Sequence, residues 1–197
     1  LKNMAPEINR EFIEKIIGSI GPSPIDNALK SADSEFEKND FSAAANLYLQ
    51  VLNADPKNIH ALTGLARTYL AEKNIDQAKE VLDNIPLENS NSEKVIAVKS
   101  ALNLLEKAEN TDDIDELIAA LEKKPGDLEI LYNIAMASIG DNNHEQAINY
   151  LLEIIKTQKD WNNGKARENL LKIFESLGPT NELTIQGRRQ LSAIIFS

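Results

Sequence analysis

Apolar residues return at steps of three and four along most of this chain, the period of helices that bury one face. The clearest stretch runs from Asn39 to Asn58. Ala44, Tyr48 and Val51 share a face there, Asp40 stands where a side-chain oxygen can cap the start, and Pro56 forces a stop. A step of 34 residues carries Asp40, Ala44, Tyr48 and Val51 onto Asn74, Ala78, Leu82 and Ile85. A step of 103 carries them onto Asn143, Ala147, Leu151 and Ile154. The chain is therefore built from a repeated helical unit.

The units begin near Ile25, Ile59, Lys94 and Leu128. The first predicts helices over about 25–38 and 41–54, the second over about 59–72 and 75–84, the latter cut short by Pro86. The third is degenerate. Its first helix spans about 93–109, and Asp113 occupies the place of the small residue. Thr111 is expected to cap a late second helix, with Asp112 and Asp113 at the positive end of its dipole and Pro125-Gly126 closing it. The fourth pairs Ile134-Ala135 with Ala147. After Asp160 the period is lost, but helices are expected over about 163–177 and 182–196, separated by Gly178-Pro179.

A two-helix unit of this length, with a small residue in mid-helix and a closing proline, resembles the tetratricopeptide pattern. The expected fold is all-α, a right-handed α-solenoid of about four helix pairs with a C-terminal helical cap. Ala44, Ala78 and Ala147 should lie buried where helices cross closely. Ahead of the repeats, Ile8, Phe12, Ile13, Ile16 and Ile17 form the apolar face of a short helix over residues 6–17. Gly18 to Pro24 reads as a linker. Three segments follow: 1–24, 25–160 and 161–197.

The formal charge of −10 argues against a nucleic-acid groove, which needs a basic stripe. The acidity is local: residues 1–150 hold 14 Lys/Arg against 26 Asp/Glu, and residues 151–197 hold 7 against 5. With no cysteine in 197 residues, disulfides, thiolate metal sites and a thiol nucleophile are excluded for this chain. No apolar run approaches the ~20 residues a membrane span needs, and no signal-peptide core stands out. The chain opens on Leu1, which points to a piece of a longer protein.

Candidate chemistry is sparse. His60 and His144 stand on separate repeats without a second ligand at helical spacing, and both read as solvated helix residues. Asp141-Asn142-Asn143 lacks the glycine and distal glutamate of a calcium loop, and Asn143 fits a helix cap. Asp112, Asp113, Asp115 and Glu116 read as a solvated first turn rather than paired catalytic carboxylates. There is no phosphate-cradling glycine loop and no serine elbow. No enzymatic activity, metal or cofactor is expected.

What the tetratricopeptide resemblance implies is a binding groove lined by the first helix of each pair. The groove candidates it places are Phe36, Arg67, Leu102, Leu105, Tyr132 and Met136, an apolar set with one cation. Packing inside the solenoid is the competing expectation for these same residues. On a helical wheel, Leu183, Gly187, Leu191, Ile194 and Ile195 form the inward stripe of the last helix. Ile185, Arg189, Ser192 and Phe196 fall opposite, an outward face too apolar for a cap, and are the docking candidates.

A second resemblance rests on Asp160-Trp161-Asn162-Asn163-Gly164-Lys165-Ala166-Arg167, on Leu170 to Glu175 with Leu177-Gly178-Pro179, and on Arg188-Arg189-Gln190-Leu191 followed by Ile194-Ile195-Phe196. These residues resemble the C-terminal signature of the bacterial thioredoxin-like co-chaperones called chaperedoxins. Gly187 departs from that pattern, which carries tyrosine there. The resemblance implies that residues 6–17 end a thioredoxin-like domain upstream of Leu1. It implies a cytoplasmic protein-binding module that holds unfolded protein clients, docks the chaperonin, or does both. It implies no nucleic-acid or membrane partner. The alternatives are a tetratricopeptide scaffold assembling an unrelated complex and, more distantly, a regulatory domain of an enzyme encoded upstream.

Overall fold

The computed structural model describes residues 23–109 and 111–196; the expected helix over 6–17 and most of its linker lie outside them. The described residues form ten α-helices and no strand. They are α1 (Pro24–Glu37), α2 (Phe41–Ala54), α3 (Ile59–Ala71), α4 (Ile75–Asp83), α5 (Glu93–Ala108), α6 (Ile114–Lys123), α7 (Leu128–Gly140), α8 (His144–Thr157), α9 (Lys165–Leu177) and α10 (Glu182–Ile195). Short 3₁₀ turns at Leu87–Asn89 and Trp161–Gly164 precede α5 and α9. Pro24 belongs to α1 rather than to a linker, as its first residue, with Ser23 and Asp26 closing a reciprocal capping box.

The unit repeats because its turn repeats. Asn39, Lys73 and Asn142 sit at φ 62°, 61° and 58°, each just past the end of the first helix of its pair. The next residue's N–H reaches back five positions: Asp40 to Glu35, Asn74 to Tyr69, Asn143 to Ser138, at 2.8–2.9 Å. This Schellman closure satisfies carbonyls the helix would orphan and hands over to the cap of the second helix. Asp40 and Asn143 accept from Ala43 and Gln146 N–H. In the third unit the matching position is Ala108, which stays helical instead of turning left-handed. Helix α5 therefore runs on through Ala108, the longest helix described, and α6 starts late. Its cap is Asp113, which accepts from Asp115 N–H; Thr111 instead donates to the Ala108 carbonyl at 2.7 Å. That corrects the expected cap at Thr111, whose hydroxyl is spent on finishing α5.

Ala44, Ala78 and Ala147 are each 0% exposed, where second helices press closely on first ones. Consecutive helices pack in antiparallel pairs, an α-solenoid, except that α6 rests on α7 rather than along α5. The face of α5 left free is taken by α9, which packs chiefly on α5 and α8. Asn162, Asn163 and Gly164, at φ 45°, 57° and 80°, make the left-handed reversal that starts α9 on this course. The largest core cluster joins Leu104, Met136, Ile139, Leu151, Leu170, Ile173, Phe174 and Leu191, so the C-terminal helices are built into the core.

Candidate functional site: the concave face and the outer side of α10

The first helices of the pairs, α1, α3, α5 and α7, line the inner face of the solenoid, and α9 fills half of it. Its hold is polar as well as apolar. Asn169, 0% exposed, donates from Nδ2 to the Tyr132 hydroxyl at 2.6 Å and accepts from Lys107 Nζ at 2.7 Å. Ser100 Oγ donates to Glu175 at 2.7 Å, and Lys172 Nζ donates to Asn103 at 2.9 Å and Glu168 at 2.6 Å. Trp161 packs at a tilt against Tyr132, ring centroids 5.2 Å apart, and the Lys165 ammonium lies over the same ring at 4.4 Å.

These contacts settle where two groove candidates stand. Tyr132 and Met136 are 4% and 1% exposed beneath α9, part of the core and not open to a ligand. Burial raises the Tyr132 hydroxyl pKa to about 12. Burial, then the nearby Lys172 charge, lowers that of the Lys107 ammonium. The Lys172 hydrogen bond lowers that of the Glu168 carboxyl. The sequence did hold a sign of this seam. Asn169 sits among Ala166, Leu170, Ile173 and Phe174 on the buried stripe of α9, and an amide on such a stripe needs partners.

The other half of the inner face stays open as a cavity of about 590 Å³, within the range of ligand-binding clefts. Phe36, Arg67 and Leu105 meet there, with Leu70, Ile139 and Leu177. The Arg67 guanidinium lies 4.4 Å above the Phe36 ring. Leu102 is half-buried against the neighbouring α3–α5 core rather than in this wall. His144, on the rim, is not solvated as its helical position suggested: its Nδ1 is buried without a hydrogen-bond partner, and burial lowers its pKa. His60 is half-exposed and binds the Asp33 carboxylate at 2.9 Å; Tyr48 donates to the same carboxylate at 2.6 Å. Among the described residues no cluster of His, Asp and Glu could hold a metal, and no helix is long and apolar enough to cross a membrane.

On the last helix, Thr184, Gly187 and Leu191 are buried against α8 and α9. The four docking candidates all face outward: Ile185 is 57% and Phe196 86% exposed, and Arg189 and Ser192 are exposed beside them. Lys159 Nζ donates to the Ile195 carbonyl at 3.3 Å, pinning the end of the helix.

Stacked helix pairs around an inner groove define a helical-repeat scaffold for protein–protein interaction. The chain carries tetratricopeptide repeats: one tetratricopeptide repeat model matches residues 35–102 and another 107–196. Neither model names a catalytic family. A relative, an uncharacterized protein of Haemophilus influenzae strain Rd, is 29% identical over 143 residues, 73% of this chain and 65% of its own length. A domain of a Vibrio parahaemolyticus protein of unknown function is similar in structure, with TM-score 0.39, 22% identity, and 85% and 97% of the two chains covered. A crystal structure of MamA gives 0.40, 20%, and 87% and 90%. None of these names a thioredoxin-like protein or a chaperone.

Proposed function

We propose that this chain binds proteins at two faces, taking extended or unfolding segments in the open half of the inner groove and docking a folded partner on the outer side of α10. The observation that carries the reading is the outward face of α10. A helix that only closed the solenoid would be polar there, yet Ile185 and Phe196 stand in solvent beside Arg189. In this proposal residues 25–160 supply the groove and 161–197 the docking unit. The resemblance of the Asp160–Pro179 block supports a co-chaperone, with the chaperonin as the partner of α10 and unfolded clients in the groove. A scaffold for another complex would use the same faces with a different partner.

The test mixes purified chaperonin with the wild type, with Leu191→Ala, and with an Arg189→Ala, Phe196→Ala double variant. The double variant should keep its melting temperature and lose binding, whereas Leu191→Ala should lose stability as well. Full binding by a folded double variant overturns the docking assignment. Client holding is tested separately, by light scattering of a heat-unfolded protein with excess chain; unchanged aggregation removes that half.

A further inference from the structure

The open cavity is polarised in a way the chain as a whole is not. The protein carries −10, yet the residues lining the cavity include Arg67 and Lys73 and not one carboxylate. Arg67 forms no ion pair among the described residues; its guanidinium rests on the Phe36 ring and is exposed at the mouth. Lys73 is less free, since its ammonium lies 3.7 Å from Asp141. Asn39 and Asn142, held at positive φ by the repeat turn, add amide donors to the rim. The acidic residues collect next door, where a second cavity of about 400 Å³ is bordered by Asp112, Asp113 and Asp141. A cation placed over an apolar hollow, with donors around it and no acceptor charge in its walls, complements one chemistry.

Resting on the reading of the inner face as a binding groove, we infer that its open half selects acidic–apolar segments. Apolar side chains would enter between Phe36, Leu70, Leu105 and Leu177, and a flanking Asp or Glu would pair with Arg67. The cavity has room for more than one apolar side chain, and α9 closes the groove beyond it, so the bound stretch is short. Arginine is the suitable cation, because its planar fork pairs with a carboxylate while its face stays stacked on an aromatic ring. Lys107, further along the inner face, is already committed to Asn169.

The experiment compares two fluorescein-labelled peptides with blocked C-termini, Gly-Leu-Phe-Leu-Glu-Glu and Gly-Leu-Phe-Leu-Lys-Lys, by fluorescence anisotropy against the full chain. The acidic peptide should bind about tenfold tighter, the scale of a charge-assisted pair, and the preference should shrink in high salt. Arg67→Gln should abolish the preference and Arg67→Glu should invert it, with melting curves of both confirming the fold. Ala101→Phe, which fills the cavity, should weaken both peptides. Equal binding of the two peptides, unaffected at Arg67 but lost in Ala101→Phe, overturns the charge selection and leaves the groove standing. Binding of neither peptide overturns both, and tighter binding of the basic peptide overturns the inference outright.

Discussion

Replacing Gly187 by alanine tests how closely α10 approaches α9. Gly187 is buried in mid-helix, where alanine is worth about 1 kcal/mol more than glycine by intrinsic propensity. Packing opposes this. A Cβ there would lie 2.6 and 2.7 Å from the Cε1 and Cζ atoms of Phe174 and 3.4 Å from Cγ2 of Ile148. Carbon atoms settle at about 3.5–4.0 Å, so the ring must retreat by roughly 1 Å. Phe174 is 0% exposed, inside the largest core cluster, and has little space to move into. Overpacking of this kind costs about 1–3 kcal/mol, and a buried ring with little space puts this site toward the upper end, so that a net loss of up to about 2 kcal/mol remains after the propensity gain. For a chain of this size that is up to roughly 8 °C in melting temperature by far-UV circular dichroism. Gly140→Ala is the control. Its Cβ would meet only the Ala108 Cβ, at 3.4 Å, so propensity should decide and stability should hold or rise. Hydrogen exchange should place the Gly187→Ala loss in α9 and α10. A Gly187→Ala protein that melts at or above wild type would refute the packing argument. By the same geometry Gly187→Tyr, the residue of the resembling family, should undock α10.

Other substitutions probe different links. Asn169→Leu should cost about 1–3 kcal/mol in urea unfolding, because it strands the buried Tyr132 hydroxyl and takes a hydrogen bond from Lys107, which keeps its ion pair with Glu168. Asp40→Ala should lose about 1 kcal/mol with its cap hydrogen bond, whereas Asn74→Ala should lose less, since Asn74 makes no side-chain cap bond. In alkali the unfolded tyrosines ionise near pH 10 while Tyr132 holds its proton to about 12; burial also raises Tyr48. A raised folded pKa means stability present below pH 10 and lost progressively up to about 12, and Tyr132→Phe should flatten that part of a stability–pH profile. In acid the sign is set by His144, whose lowered folded pKa makes stability fall as pH drops below about 6.5, a fall that His144→Gln should reduce.

The repeat itself was legible in the sequence, because everything that makes it is local. Capping side chains, alanines at close crossings and stop signals act within a few residues, so Asp40, Ala44 and Pro56 locate a helix pair without reference to the rest of the chain. The inward and outward sides of α10 followed for the same reason: period alone separates Leu191 from Ile185 and Phe196. The fate of the groove was not legible. Tyr132 and Met136 hold the positions a ligand would meet, and they are closed by Asn169, 37 and 33 residues further along. Which helix covers which face depends on where a chain reversal sends it, and that is a competition among distant apolar surfaces. Where Ala108 stays helical, α5 runs longer and α6 starts later, and α9 packs on the face of α5 that α6 leaves. Local chemistry determined the elements; their mutual burial decided which half of the groove remained open.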